Sequence, residues 1–519
     1  MTEGSENNEY YDRLEKITKI KELGIQPFGS SFVRTHHISE LALADTSVGM
    51  DQIVGGLQKN IAVAGRLMLH RDHGKLIFAK LSDQSGEIQL LFHKDYTSLL
   101  TAQDWPVAET DGYQFLKKLV EVGDFIGVRG DLFYTKKQEL TLFVSEFVFL
   151  SKALRKMGEK WHGVTNQETL YRHRYIDTTI QRETHARFLL RSKFLRAIRE
   201  FYYANEFIEV ETPILGHYAS GAAAKPFVTK HHELDMEMYL RISPETALKK
   251  MTVGMFEKVF EVAKDFRNEW SDPSHHQEFT MIEHYAAYRN YKDNMAFTEA
   301  MFAHIFAAIP ELNPVVNVVS KTGETRSVDF SKPRSQIDYI EQIKIDADID
   351  VTQYGPQDEE KLRAVIIEKW LRWKWLEEQS TATMIDYLYK KVTRPNIVGP
   401  AFVYNYPKAM QPLARPSDAN PNIVEQWQLV VNGWEVIKAY SELVDPVLQK
   451  QNFVDQQQAL EKGDEEATSS DDDFLLAMEY GMPPQSWRGM GIDRILAILT
   501  ECTNIRDVIY SPIMAPQQE

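Results

Sequence analysis

The sequence predicts an α+β protein in which a small β-barrel precedes a larger region that contains helices. Apolar residues alternate along several short segments between residues 61 and 150, for example at Ile77, Ala79 and Leu81. Helical spacing appears before that region, at Leu14 and Ile17, and again in a long segment that starts near residue 184. Short alternating strands separated by polar turns are typical of a closed barrel, and about ninety residues suffice for an OB-fold.

The chain divides into four predicted parts. Residues 1–53 form a helical segment, 54–150 the OB-fold barrel, 151–183 a partly basic linker, and 184–519 the larger domain. The larger domain opens with an amphipathic helix, followed by a predicted strand, FIEVETPIL, at residues 207–215. The apolar stripe of that helix comprises Leu190, Phe194, Ala197, Ile198 and Phe201. Residues 335–396 have the composition of a helical insertion.

Composition places the protein in the ordinary soluble class. The 519 residues are 43% hydrophobic and 26% charged, and no stretch is long and apolar enough for a membrane span. The N-terminal sequence is polar and acidic, unlike a secretory signal, which makes the cytoplasm the default location. One cysteine, Cys502, excludes an intrachain disulfide and a cysteine-rich zinc cluster. The net charge of −16 argues against diffuse attraction to nucleic acid, but a local basic surface remains open.

Two barrel residues are predicted to face outward. If Ile77 and Ala79 face the core, Phe78 between them points away from it, and Gln89 does so on the next strand. An exposed ring beside an exposed amide can stack one base and hydrogen-bond another. Arg71 lies in the predicted turn before Phe78. The alternative is that Phe78 fills a contact between domains.

The most informative segment is FEVAKDFRNEWSDPSHHQEFTMIEHY at residues 260–285, which reads as two strands joined by a polar loop. Strand alternation predicts one shared face for Arg267 and Glu269, and another for Phe279, Glu283 and Tyr285. A cation, carboxylates and aromatic rings around one hairpin can hold a nucleotide and a charged small molecule. A charged surface hairpin is the competing interpretation.

A second segment, GMGIDRILAIL at residues 489–499, reads as a glycine turn that leads into a helix. Arg494 falls in the first helical turn, where its charge and the helix N-terminus both favour a phosphate. A short Gly-x-Gly sequence alone is weak evidence for such a site.

Together these segments resemble class II aminoacyl-tRNA synthetases over nearly the whole chain. Residues 260–285 are similar to motif 2 of that family, 489–499 to motif 3, and 207–215 to the end of motif 1 with its proline, Pro213. SGAAAKPF at residues 220–227, LRISPE ending at Glu245, and AYSELVDP at residues 439–446 resemble the lysyl branch. The resemblance implies an antiparallel catalytic sheet flanked by helices, a homodimer, and activation of L-lysine by ATP followed by transfer to tRNA(Lys).

The resemblance also implies roles for individual residues. Arg267 would bridge the lysine carboxylate and the α-phosphate, Glu269 and Phe279 would hold adenine, and His275 and Arg494 would neutralise the outer phosphates. The barrel residues Arg71, Phe78 and Gln89 match positions that read a lysine anticodon. The expected lysine site comprises Gly221, Glu245, Arg267, Glu283, Tyr285, Lys438, Tyr440 and Glu442. In it Glu245, Glu442 and Tyr285 face the ε-ammonium, while Glu283 takes the α-ammonium beside Gly221.

The chain departs from the lysyl pattern at several of these positions. Gln428 replaces a glutamate that commonly binds Mg²⁺, while Glu435 keeps the second metal position. Lys438 replaces an asparagine, and we expect it to pair with the substrate carboxylate, the alternative being repulsion of lysine and changed specificity. Ser274, His276 and Gln277 alter the motif 2 loop, and Trp487 and Arg488 precede motif 3 where small or apolar residues are usual.

Two other functions are compatible with these departures. One is a paralogue that attaches lysine to a protein, although such relatives typically lack the barrel. The other is a catalytically silent RNA-binding protein, against which the retention of Arg267, Glu269, Glu435 and Arg494 argues.

Overall fold

A computed structural model describes residues 3–41, 61–100, 111–155, 166–217, 221, 224–355, 357–369, 371, 376, 379–461 and 471–517. The chain forms two compact units, residues 1–164 and 165–519. The division into four parts at residues 53, 150 and 183 stays a prediction. Within the described ranges, no helix has the length and apolar character that crossing a bilayer requires.

The first unit is a six-stranded barrel with helical additions. Its strands follow the order β3-β2-β1-β5-β6-β4, and a parallel pairing of β3 with β6 closes the sheet on itself. The elements are α1 (Glu3–Glu22), α2 (Ile38–Leu41), β1 (Ile61–His73), β2 (Leu76–Ser82), β3 (Glu87–His93), β4 (Ser98–Leu100), α3 (Gly112–Leu119), β5 (Phe125–Tyr134) and β6 (Leu140–Ser151).

The predicted alternation along β2 is confirmed. Ile77, Ala79 and Leu81 are buried in the barrel core, while Phe78 is half-buried on the outer surface. The prediction that Arg71 sits in a turn is wrong, because β1 continues to His73 and pairs Arg71 with Phe78. Two residues paired across antiparallel strands project to the same face, so this correction brings Arg71 and Phe78 together.

The second unit is built on an eight-stranded sheet with the order β15-β16-β17-β18-β19-β12-β11-β7. Its pairings are antiparallel except at the two edges, where β15 pairs in parallel with β16 and β7 pairs in parallel with β11. This confirms the predicted α+β class. The strands of the unit are β7 (Ile208–Glu209), β8 (Leu215–Gly216), β9 (Val228–His231), β10 (Met236–Leu240), β11 (Lys258–Phe266), β12 (Glu278–Ala287), β13 (Val315–Val319), β14 (Thr325–Asp329), β15 (Ser335–Asp338), β16 (Ala401–Pro407), β17 (Ile423–Val431), β18 (Trp434–Ser441) and β19 (Gln485–Gly491).

Helices cover both faces of this sheet. They are α4 (Gln167–Arg172), α5 (Arg174–Ile180), α6 (Arg182–Ala204), α7 (Glu245–Val253), α8 (Tyr291–Ala308), α9 (Tyr339–Ala347), α10 (Glu359–Glu368), α11 (Thr381–Leu388), α12 (Pro446–Glu461), α13 (Asp472–Glu479) and α14 (Ile492–Leu499). One face packs on α6, α8 and α14, with Phe194, Phe302 and Leu496 fully buried there. The other face carries Tyr285 and Tyr440 and packs on α7, α9 and α11.

The sequence predictions for the start of this unit are partly wrong. The apolar stripe of α6 is confirmed, because Phe194, Ala197, Ile198 and Phe201 are buried. The predicted strand at residues 207–215, in contrast, is interrupted between β7 and β8. Pro213 lies in the interruption, where the missing N–H of proline cannot serve a sheet. Among its described residues, the predicted insertion at residues 335–396 contains α9, α10 and α11, and its start forms β15 at the edge of the main sheet.

A buried ion pair anchors α14 to α6 and to β12. Asp493 accepts hydrogen bonds from the guanidinium of Arg191 at 2.6 Å and from the backbone N–H of Thr280 at 2.7 Å. Asp493 is buried, so removing its carboxylate leaves the Thr280 N–H without an acceptor and Arg191 without its ion-pair partner. The contact fixes the first turn of α14, which carries Arg494.

We therefore expect Asp493→Ala to lower the free energy of unfolding by about 3 kcal/mol, because it leaves the largely buried Arg191 without a counter-ion and the Thr280 N–H without an acceptor. Urea denaturation measures this change. Asp418→Ala provides the matched control, since it breaks an exposed pair with Arg415 and should cost at most about 1 kcal/mol. Equal losses in the two variants would show that Asp493 has no special anchoring role.

Candidate active site

A cavity of about 1350 Å³ opens on the face of the large sheet opposite α6 and α8. Most residues predicted to bind ATP or lysine line it: Gly221, Glu245, Arg267, Glu269, His275, Phe279, Glu283, Gln428, Glu435, Lys438, Tyr440 and Arg494. Tyr285 and Glu442 were predicted beside them but lie deeper, buried behind the cavity wall. Strand register explains the grouping, because β12, β18 and β19 are neighbours and present alternate residues to this face.

The hairpin predicted at residues 260–285 is confirmed as β11 and β12, with a loop between them. Arg267 and Glu269 were predicted on the first strand, but β11 ends at Phe266 and both residues follow it. The backbone N–H of Arg267 donates to the carbonyl of Gln277 at 2.8 Å, and this bond joins the two ends of the loop between β11 and β12. The Arg267 guanidinium lies 5.1 Å from the centre of the Phe279 ring, so a cation and an aromatic face meet at one wall.

The loop itself presents His275 and Ser274 to the cavity. The His275 imidazole lies 2.8 Å from a carboxylate oxygen of Asp272. Burial, reinforced by the nearby Arg494 guanidinium, lowers the pKa of His275. His275 is therefore mainly neutral near pH 7 and offers a hydrogen bond rather than a full positive charge.

Arg494 lies in the first turn of α14, as predicted, and its guanidinium is fixed by two backbone carbonyls. It donates from Nε to Ser274 O at 2.9 Å and from Nη1 to Glu435 O at 3.0 Å. Burial lowers the pKa of Arg494. The ordinary pKa of a guanidinium is so high, however, that Arg494 stays charged. Gly489, which was predicted to form a turn with Gly491, lies instead inside β19.

The acidic end of the cavity is organised by a lysine that the sequence analysis missed. The Lys249 ammonium lies 2.7 Å from Glu245 Oε1 and 2.9 Å from Glu442 Oε2, and its side chain is almost fully buried. Burial lowers the pKa of Lys249, but the attraction of Glu245 and Glu442 outweighs it and the net pKa is raised. Glu245 and Glu442 therefore converge, but on an ammonium of the protein itself, and that they face the ε-ammonium of the substrate stays a prediction. A signal existed in the sequence, since residues 245 and 249 stand four apart on one helix.

Glu283 is held by two neutral donors. The Ser243 hydroxyl donates to one of its carboxylate oxygens at 3.1 Å, and the Trp487 indole N–H donates to the other at 2.8 Å. Burial, together with the nearby charges of Asp265 and Glu245, raises the pKa of Glu283 well above its ordinary value. Burial likewise raises the pKa of Glu442, to about 8. Without a bound cation, these two acids tend to keep their protons near neutral pH.

Gly221 lies against Glu245. Its φ is +90°, and a Cβ at this position would lie 2.9 Å from the Cβ of Glu245. Only glycine fits both constraints easily. The sequence analysis placed Gly221 beside Glu283. The connection between them is Ser243, whose side chain would lie 3.4 Å from the same Cβ and whose hydroxyl donates to Glu283. Which carboxylate takes the α-ammonium stays a prediction.

Lys438 and Gln428 are paired across β18 and β17 on the cavity face. Burial lowers the pKa of Lys438, although the charge of Glu435 opposes the change. Gln428 Oε1 accepts a hydrogen bond from the Tyr406 hydroxyl at 2.7 Å. Among the described residues, no cluster of three or more histidine, cysteine or acidic side chains could hold a metal ion. Glu435 therefore fits Mg²⁺ only as a single anchor for an ion that also uses phosphate and water ligands.

The first unit carries the other predicted site. Arg71 pairs with Phe78 across β1 and β2, and Phe78 pairs with Leu91 across β2 and β3. Gln89 lies two residues from Leu91, so all three predicted residues share the outer face of the barrel. The Gln89 amide nitrogen donates to the Thr141 hydroxyl at 2.8 Å, which fixes the orientation of the amide. Phe78 packs against a small apolar cluster that contains Leu91, Phe133 and Phe143.

Comparison with known families separates the same two regions. Residues 61–150 match the OB-fold nucleic acid binding domain described as a tRNA anticodon domain. Residues 166–515 match the family described as tRNA synthetases class II (D, K and N).

Similar curated proteins span nearly the full chain. Lysine–tRNA ligase from Carboxydothermus hydrogenoformans is 37% identical over 511 residues, covering 97% of each chain. Lysine–tRNA ligase from Clostridium novyi is 38% identical, covering 97% of this chain and 94% of its own. Lysine–tRNA ligase from Aquifex aeolicus is 40% identical, covering 88% of this chain and 74% of its own. With its cavity, its barrel and these matches, the chain belongs to the class II tRNA synthetases of the D, K and N group.

Proposed function

We propose that this protein uses ATP to activate L-lysine as lysyl-adenylate and transfers the lysyl group to the 3′ end of tRNA(Lys). The observation that carries the proposal is the convergence of Glu245 and Glu442 on a buried ammonium, that of Lys249, beside a cavity lined by Arg267 and Arg494. The similarity to lysine–tRNA ligases over almost the whole chain supports the same function.

A charge count favours lysine over other amino acids. Three carboxylates, Glu245, Glu283 and Glu442, lie at the acidic end, and Lys249 balances one of them. The α- and ε-ammonium groups of lysine balance the other two. A neutral or acidic amino acid supplies fewer cations, so Glu283 or Glu442 would have to stay protonated and the stabilisation from its ion pair would be lost. Aspartate and asparagine would need a cationic side-chain pocket, and this end of the cavity is acidic.

In the first step, a carboxylate oxygen of lysine forms a bond to the α-phosphorus of ATP. The bond from that phosphorus to the oxygen it shares with the β-phosphate breaks, and pyrophosphate leaves. Arg267 is suited to bridge the two anions, because a planar guanidinium binds carboxylate and phosphate in parallel. Phe279 would stack on adenine, Glu269 would accept from its amino group, and the fixed Arg494 would face the outer phosphates.

In the second step, the terminal 3′-hydroxyl of tRNA attacks the carbonyl carbon of the adenylate, and AMP leaves. No protein nucleophile is needed for either step, since positioning and charge neutralisation supply most of the acceleration. Lys438, Tyr440 and Tyr285 complete the proposed lysine site around the acids. The barrel would read the anticodon through Arg71, Phe78 and Gln89, whose shared outer face supports that role.

Three further properties belong to the proposal. Mg²⁺ would enter with ATP, neutralising phosphate charge, and bind Glu435, while Gln428 would contribute weakly because its oxygen already accepts from Tyr406. The chain would form a homodimer, which the exposed apolar residues Leu189, Ile208, Ile214 and Leu215 on and after α6 support. Its location would be cytoplasmic. A paralogue that lysylates a protein is less favoured, because the anticodon-type barrel is intact.

We expect Glu245→Gln to raise the KM for lysine at least about tenfold. The substitution removes the charge that Glu245 shares with the buried Lys249, so one carboxylate fewer is available to balance the ammonium groups of the substrate. The KM for ATP should stay within about twofold. Lysine-dependent ATP–pyrophosphate exchange measures both constants. A parallel rise in the two constants would count against a role for Glu245 in lysine selection.

Lysine affinity should rise with pH between about 6 and 8. The pKa of Glu442 is raised to about 8 in the free protein, mainly by burial and despite Lys249, so its carboxyl is protonated below that pH. Binding of an ammonium requires the ionised carboxylate and expels that proton, which strengthens binding by up to about tenfold per pH unit. Isothermal titration with lysine checks the slope. Glu442→Gln should flatten it, and an unchanged slope in that variant would assign the proton elsewhere.

Phe78→Ala should weaken tRNA binding by about 1–3 kcal/mol, the usual loss for one base-stacking ring. Filter binding of tRNA(Lys) measures the change. Phe125→Ala serves as control, because its half-exposed ring contacts Arg66, five residues before Arg71 on β1. Equal effects of the two substitutions would contradict the anticodon assignment.

A further inference from the structure

Trp487 lies in the cavity without a role in the reaction described above. It stands in the middle of β19, between Tyr285 on β12 and Tyr440 on β18 in the strand register. Its side chain is buried, and it forms part of the cavity wall. The sequence analysis noted it only as a large residue at a position where small residues are usual.

The indole ring forms the floor of the amino-acid end of the cavity. A Cβ placed on Gly489 would lie 2.6 Å from Cζ2 of the indole, so the ring rests directly on the glycine backbone. Gly489 is paired with Glu283 on one side and with Lys438 on the other. The ring therefore fills the sheet surface between the carboxylate proposed for the substrate ammonium and the lysine proposed for its carboxylate.

The same ring connects two of the acids. Its N–H donates to Glu283 at 2.8 Å, while the Ser243 hydroxyl holds the other oxygen of that carboxylate. Its face lies 4.7 Å from the ring of Tyr440, and the Tyr440 hydroxyl donates to Glu245 at 2.6 Å. A carboxylate that accepts two directed hydrogen bonds keeps one orientation. Trp487 thus fixes Glu283 and, through Tyr440, supports Glu245.

We propose that Trp487 is a positioning residue for amino-acid recognition, which holds Glu283 toward the substrate ammonium through its N–H and supports Glu245 through Tyr440. The inference rests on the proposed function, because it concerns the amino acid that this cavity activates. An indole ring suits the role, since it is large and rigid and carries one donor at its edge. Loss of the N–H alone should release Glu283, while a ring that remains still packs on Tyr440.

The test is lysine-dependent ATP–pyrophosphate exchange in Trp487→Phe, which keeps an aromatic ring but loses the N–H. We expect the KM for lysine to rise about tenfold through loss of a hydrogen bond to a charged group. The KM for ATP should stay within about twofold, whereas a general loss of packing would change both constants.

Trp427→Phe is the matched control. Trp427 lies on β17 in the core of the opposite face, where its N–H donates to the carbonyl of Tyr291. The control substitution should leave the KM for lysine unchanged. An unchanged KM for lysine in Trp487→Phe, or an equal rise in the KM values for lysine and ATP, overturns the inference alone. A wild-type protein that does not activate lysine overturns the proposed function as well.

Discussion

The active-site end of the large sheet depends on one buried ion cluster, in which the Lys249 ammonium lies between Glu245 and Glu442. Two carboxylates this close and this deeply buried repel each other, and the Lys249 ammonium between them reduces that repulsion. The cluster ties α7 to the chain that follows β18, and the ring of Phe474 on α13 lies 5.2 Å from the same ammonium. The protein's own lysine thus holds the two acids together at this end of the cavity.

The rest of the cavity follows from how charge is distributed along the sheet. Acids gather at one end, while Arg267 and Arg494 lie toward the loop between β11 and β12. Each cation is fixed by backbone carbonyls, Arg267 by Ile242 and Arg494 by Ser274 and Glu435, and this leaves its charge available. An amino acid with a second ammonium at the end of its side chain, bound next to a polyphosphate, matches this distribution of charge. Preorganised charges of this kind stabilise a transition state without reorganisation.

The role of Trp487 follows from the residues around it rather than from the sequence next to it. A large residue before a glycine pair is unusual in this family, and by itself it suggests only altered packing. Gly489 explains where the ring goes, because the absent side chain leaves space over the backbone. The ring then reaches Glu283, which comes from a strand 204 residues earlier in the chain. Packing and recognition are served by the same contact.

The sequence alone determined the α+β class, the barrel parity at Phe78, the stripe of α6 and the β11–β12 hairpin, because these follow from local periodicity. It also identified most residues of the cavity, through the resemblance of its motifs to those of class II aminoacyl-tRNA synthetases. It missed Lys249 and the role of Trp487, and it placed Arg71, Gly489 and the strand at residues 207–215 wrongly. Tertiary structure decided these points. The partner of a buried charge, the end of a strand and the depth of a pocket depend on residues brought together from distant parts of the chain, which no local pattern records.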